Sequence, residues 1–201
     1  KRDQFIKKIN YIVEKSESSP HQWIKNKYYL KNFIESDKTT SSTFYRFYTN
    51  QDMLTFFQEL SEILENYQTF GDFIKAKYQE NPKAYLDQLI SESFPKSKIV
   101  PKGKNSPNKR IQMFLRWMVR ENSPVDKGFW TWYPKEKLII PLDTHVLQQS
   151  KKLGIIPEKA NATRKTALVI TDVLTSIFPD DPVKGDFALF GLGVNPSQQK
   201  N

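Results

Sequence analysis

The sequence contains no cysteine, which removes disulfides, thiolate nucleophiles, cysteine-ligated zinc and iron–sulfur clusters from consideration. That fits a reducing compartment. Histidine is almost as scarce, with His21 and His145 the two present; a transition-metal site would have to be built mostly from carboxylates, and neither a structural metal nor a cofactor is expected. Long apolar runs are missing too. None approaches the roughly 20 residues needed to span a bilayer, and no signal-peptide pattern opens the chain, so a soluble, cytoplasmic protein without membrane contact is expected. No Gly/Ser/Pro linker separates two independent parts of the 201 residues, so one all-helical domain over 1–201, bilobal in form and monomeric, is expected. An opening at Lys1 rather than Met is compatible with a longer protein that carries a further N-terminal part.

What the chain does have is positive charge, and its location matters more than its size. The net charge is +9, and between Pro95 and Arg120 stand Lys96, Lys98, Lys102, Lys104, Lys109, Arg110, Arg116 and Arg120, with no Asp or Glu among them. Subtracting those eight leaves about +1 for everything else. A single local patch of this kind implies a polyanion, and phosphate backbones are the commonest one, because neutralising phosphates releases condensed counterions. A solvated lysine loop that binds nothing is the plainer alternative. Gly103 and three prolines interrupt the patch, so it cannot form one continuous basic helix of the membrane-surface type.

Apolar residues recur at helical spacing almost throughout, and two-residue alternation over a strand's length is hard to find. The spacing predicts a first helix carrying Phe5, Ile6, Ile9, Ile12 and Val13 and ending near Ser16, then a second starting at Pro20 with Ser19 as its cap. A polar loop from Lys38 to Thr43 precedes an aromatic knot, Phe44 to Tyr48, read as core packing. Asn50 is placed to cap a helix whose apolar face runs from Met53 to Tyr67, and shorter helices are expected over 71–78 and 82–94. After the basic loop, Ser106 and Pro107 look like the cap and first-turn proline of a helix reaching Arg120. Its buried stripe would be Ile111, Phe114, Leu115 and Met118, leaving Lys109, Gln112, Arg116 and Arg120 for solvent or ligand. An aromatic loop follows, then a helix from Asp143 to Gly154, and two more over 162–178 and 182–191. A polar tail follows Asn195.

The segment Ile140-Pro141-Leu142-Asp143-Thr144-His145-Val146, with Lys152-Leu153-Gly154 behind it, resembles the Asp-Thr-His-Val…Leu-Gly signature of the helix-hairpin-helix DNA glycosylase superfamily, in which that Asp is the catalytic carboxylate. The stretches Lys109 to Arg120 and Asp181 to Phe190 are similar to a bacterial family of hypothetical proteins, itself distantly similar to archaeal 8-oxoguanine DNA glycosylases. In that branch a lysine near the start of a helix, some thirty residues before the Asp, is the nucleophile; here Lys109 stands 34 positions ahead of Asp143. The resemblance implies an all-α fold, a bilobal helical bundle containing a degenerate helix-hairpin-helix element. Pro101-Lys102-Gly103-Lys104-Asn105-Ser106-Pro107 stands where that superfamily has Leu-Pro-Gly-Val-Gly, and the four-cysteine cluster loop of one of its branches is missing.

The implied chemistry is a base-excision glycosylase acting on damaged duplex DNA, with or without lyase activity, in which Lys109 and Asp143 are catalytic. Breaking a glycosidic bond develops positive charge on the sugar, which a carboxylate such as Asp143 stabilises. A neutral lysine amine attacks carbon to form a Schiff base, and neighbouring cations such as Arg110 and Lys104 favour its deprotonation. Lys102, Gly103, Lys104, Arg110, Arg116, Arg120 and His145 are the expected DNA contacts. Phe129, Trp130, Trp132 and Tyr133 are candidates to wall the pocket for a flipped base. Each has a plainer alternative: Asp143 as a helix cap, Lys109 as a phosphate clamp, His145 as a structural hydrogen-bonding residue, the aromatic loop as core. Asp181 reads as a helix cap and Asp126 as a loop carboxylate without an assigned role. At the level of the whole protein the alternatives are a non-catalytic DNA- or RNA-binding module and a helical protein-interaction module.

Overall fold

Helical periodicity in the sequence is matched by helices in space. A computed structural model describes residues 2–34 and 43–194; most of the predicted polar loop and the tail lie outside that range. Among the described residues there are ten α-helices and one two-stranded sheet, so the fold is all-α. None of these helices is long and apolar enough to cross a membrane. The chain divides into two compact units, Lys1–Ala84 with Leu89–Val100, and Tyr85–Gln88 with Pro101–Asn201.

The first unit holds α1 (Arg2–Lys15), α2 (Pro20–Lys25), α3 (Tyr29–Ile34), β1 (Thr43–Tyr45), β2 (Tyr48–Thr49), α4 (Asn50–Asn66), α5 (Phe70–Glu80) and the later part of α6 (Leu86–Glu92). Its core is aromatic: Trp23 meets Phe57 edge-on at 5.1 Å, and Phe33, Tyr29 and Phe44 close around them. The knot at 44–48 therefore splits. Phe44 is core, Tyr45 pairs with Tyr48 across a two-residue hairpin, and Phe47 points to solvent. The cap of α4 is Thr49, not Asn50: the Thr49 hydroxyl accepts from the Asp52 amide at 3.1 Å while Asp52 accepts from the Thr49 amide at 2.9 Å. Thr69 and Asp72 repeat this reciprocal cap on α5. A capping box satisfies two otherwise orphaned amides at once, which a lone asparagine cannot do. Buried Glu59 on α4 accepts from the amides of Lys96 and Ser97 at 2.7 and 2.9 Å, pinning the segment after α6.

The second unit holds α7 (Lys109–Val119), a 3-10 turn (Lys135–Lys137), α8 (Thr144–Lys152), α9 (Arg164–Ile177) and α10 (Lys184–Val194). Its core gathers Ile140, Leu142, Val146, Ala167, Ile170, Leu174 and Leu189. Leu138 to Leu142 is a buried run outside any helix or strand whose Ile140 amide donates to Thr171 Oγ1 at 3.0 Å; this run delivers Asp143 to the start of α8. The chain leaves α8 through Gly154 at φ +70°, as expected. At α7 the expectation fails. Neither Ser106 nor Pro107 begins the helix; Asn108 occupies the cap position in the left-handed region, φ +48° and ψ +41°, and Lys109 is the first helical residue.

Candidate active site

Lys109 and Asp143 meet. Nζ donates to Asp143 Oδ2 at 3.1 Å, with the lysine side chain 46 % exposed and the carboxylate 13 %. Asp143 is also the N-cap of α8: its Oδ1 accepts from the Val146 amide at 2.9 Å. One oxygen thus fixes the carboxylate on the helix while the other faces the amine. Burial is the largest single influence and pushes the Asp143 carboxyl up, but the Val146 amide, Lys109 and His145 together outweigh it and hold the group below its ordinary value. The cap and the ion pair use one side chain, so both readings of Asp143 describe the same geometry.

α10 packs along α8 and supplies the next layer. A side chain at Gly193 would put its first carbon 2.9 Å from His145 Cβ, so this close approach admits only glycine without displacement. The exposed imidazole of His145 stands edge-on to Phe190 at 5.8 Å. Asp186, one turn before Phe190, is buried. Burial pushes its carboxyl up, Arg116 pulls it down, the nearby charge of Asp143 pushes it up again and Lys109 pulls it down, and the balance is upward. Asp186 therefore lies within electrostatic reach of the Lys109–Asp143 pair. Asp186 lies inside the Asp181 to Phe190 stretch, but the sequence assigned it no role of its own.

Arg116 and Arg120 correct an expectation. They do lie on one stripe with Lys109 and Gln112, at spacings of three and four, but Gln112, Arg116 and Arg120 are buried and only the Lys109 end is open. Arg116 donates to Asp186 at 2.5 Å and to Asp126 at 3.2 Å; Arg120 donates to Asp126 and, through Nε and Nη2, to Asp181 at 2.9 Å. The five side chains form an alternating ladder, Asp186–Arg116–Asp126–Arg120–Asp181, with the Phe187 ring 4.7 and 5.4 Å from the two guanidinium carbons. Neither arginine is available to a phosphate. Their partners sit outside the acid-free window, so counting charge along the chain overstated the patch by two cations. Asp126 and Asp181 acquire roles as the carboxylates of this ladder.

Of the remaining expected DNA contacts, Lys102, Gly103 and Lys104 form an exposed turn in which the Ser106 amide donates to the Gly103 carbonyl at 3.2 Å, and Arg110 is exposed beside Lys109. A brace unseen in the sequence supports this loop. Buried Asp87 accepts from Asn108 Nδ2 at 3.1 Å and from both terminal nitrogens of Arg164, whose backbone amide donates to the Asn105 carbonyl at 2.8 Å. It holds Asn108 at the joint that sets the direction of Lys109. The aromatic candidates separate: Trp130 and Tyr133 are buried in the unit's interior, Trp132 stacks on Trp130 at 5.7 Å and is half-buried, and Phe129 is 70 % exposed. Trp130 meets Phe114 edge-on and Tyr133 meets Trp132 the same way, and Tyr133 lines a small cavity with Asp87, Gln112 and Leu138.

A family model described as a protein of unknown function (DUF2400) matches residues 1–195. The chain belongs to this family. No curated protein and no solved structure matches the DUF2400 chain. Both parts of the candidate site, the Lys109–Asp143 pair and the α10 layer, fall inside the matched span.

Proposed function

We propose that this chain is a DNA base-excision glycosylase acting on a damaged base in duplex DNA, with Lys109 as the nucleophile and Asp143 as its carboxylate partner. The observation that carries the reading is the 3.1 Å approach of Lys109 Nζ to Asp143 Oδ2, made between two helix starts 34 residues apart. The amine end of the pair is half-open while the carboxylate is sheltered, the arrangement a reaction at a substrate carbon requires. Asp143, held ionised, takes up a proton from the amine or balances the positive charge that develops on the sugar. The freed Nζ lone pair bonds to the sugar C1′ as the glycosidic bond breaks, and its electrons leave with the base, which gains a proton. Ring opening then yields the Schiff base from which strand cleavage can follow. The exposed turn at Lys102 to Lys104 and exposed Arg110 support a phosphate-binding rim beside the pair.

Borohydride trapping on duplexes carrying 8-oxoguanine, uracil, an alkylated purine or an abasic site tests this, with Lys109→Gln in parallel. The expected result is a covalent adduct with wild-type protein on at least one duplex, lost in the mutant. Salt-sensitive binding with neither adduct nor base release on any of them overturns the enzymatic reading and leaves a nucleic-acid-binding module.

A further inference from the structure

The β1–β2 hairpin ends in two residues that stability alone would not select. Tyr45 pairs with Tyr48, so the turn consists of Arg46 and Phe47. Arg46 sits at φ +53°, in the region that glycine and asparagine occupy at least cost, and the sequence has neither at the turn. Phe47 is 91 % exposed, the most open large apolar side chain among the described residues. A strained arginine beside a fully solvated phenylalanine points to a ligand that meets both. The charge there is one-sided: from Thr43 to Gln51 the only charged residue is Arg46. Asp52, the next acid along the chain, is turned into the Thr49 cap and lies 3.7 Å from Lys98. Cations also lie over the neighbouring rings, with Arg46 5.4 Å from the Tyr45 centroid, Lys8 4.6 Å from Phe44 and Lys15 5.7 Å from Tyr11. Phe47 is the exposed ring of this group, and an exposed aromatic face beside a cation is what recognises an unstacked base on a phosphate chain.

We propose that the hairpin tip is a second nucleic-acid contact, in which Phe47 stacks on an unpaired base and Arg46 neutralises the adjoining phosphate. This rests on the reading of the chain as DNA-binding but not on its chemistry. A base left unpaired in or beside a lesion is the natural occupant, because it has lost its stacking partner and the ring replaces it.

The test uses the whole chain and oligonucleotides with 2-aminopurine in a single-stranded stretch or opposite an abasic site. Wild-type protein is expected to quench the probe, and Phe47→Ala to lose the quenching and bind about tenfold more weakly. Phe47→Trp retains affinity and shows tryptophan quenching on binding. Arg46→Gly, which relieves the backbone strain, lowers the slope of log K against log salt by about 1 and leaves folding intact by circular dichroism. Wild-type binding with unchanged affinity and quenching in Phe47→Ala overturns the hairpin proposal while leaving the glycosylase reading standing. A wild-type dimer that Phe47→Ala converts to monomer overturns it as well, assigning the tip to protein contact. Absence of any nucleic-acid binding by the wild type ends both readings.

Discussion

Asp143 performs two tasks with two oxygens, and substitution can separate them. Asn caps a helix about as well as Asp, so Asp143→Asn is expected to change the melting temperature little while abolishing base release and leaving DNA affinity near wild type; Asp143→Ala loses the cap as well, at about 1 kcal/mol. Thermal melts beside the trapping assay check this, and retained turnover in Asp143→Asn would remove the residue from the mechanism. The titration has a definite sign. Because the folded carboxyl lies below its ordinary value, Asp143 contributes stability above the usual carboxylate range, and that contribution is lost as pH falls through the lower folded value. In a carbon-13 titration the Asp143 carboxyl midpoint is expected below that of an ordinary aspartate, moving upward in Lys109→Gln. A midpoint that does not move would show the lysine contact to be absent in solution. The pairing of Lys109 with Asp143 was legible only through the resemblance that singled out both residues; read by itself Lys109 was one more cation of a basic stretch. The role of Asp186 was not legible, since its importance comes from which residues α10 brings it near, and no local pattern encodes that.

At the scale of elements, helices and their apolar faces were largely legible, and the burial of the polar face of α7 was not. Apolar spacing located nearly every helix, with ends that moved by a few residues: 82–94 shrank to Leu86–Glu92, and α9 starts at Arg164 with Thr163 as its cap. The polar stripe of α7 was assigned to solvent or ligand, since arginines are rarely buried unless paired. The acids that take it inside, Asp126, Asp181 and Asp186, lie up to 70 residues away in sequence. The ladder makes a firm prediction. Removing Arg116 strands buried Asp186 and leaves Asp126 to Arg120 alone, so Arg116→Ala is expected to cost about 3–5 kcal/mol and Arg116→Lys to recover only part of it, since an ammonium cannot reach Asp126 and Asp186 in the same fork. Urea unfolding measures this; a loss under about 1 kcal/mol would mean the ladder is solvated in solution.

For the whole molecule, the all-α class followed from periodicity and a bilobal form was expected, whereas the boundaries of the two compact units were not legible, because no linker composition marks them and α6 contributes residues to both. Each unit has its own core, aromatic in the first and aliphatic in the second. Ile170→Ala, at a fully buried position, is expected to destabilise the protein by about 2–5 kcal/mol in calorimetry without altering DNA affinity at permissive temperature. The basic turn acts at the same scale in the opposite sense. Lys102→Ala with Lys104→Ala is expected to leave stability unchanged and to lower the salt slope of DNA binding by close to 2, as two lost phosphate contacts would. An unchanged slope would place the phosphate path elsewhere.

The ladder beneath the site also constrains how the family can vary. Arg116 serves two acids, Arg120 serves two, and Asp126 is shared between them, so no rung can be exchanged singly without leaving a buried charge unmatched. Divergence here has to proceed by joint replacement. Relatives that lack Arg116 are expected to lack Asp186 too, with apolar residues in both places, and chains that keep the Lys109–Asp143 pair while losing one rung should be rare. A site set on such a foundation is inherited as a block, and its history should be visible as paired absences rather than as gradual drift.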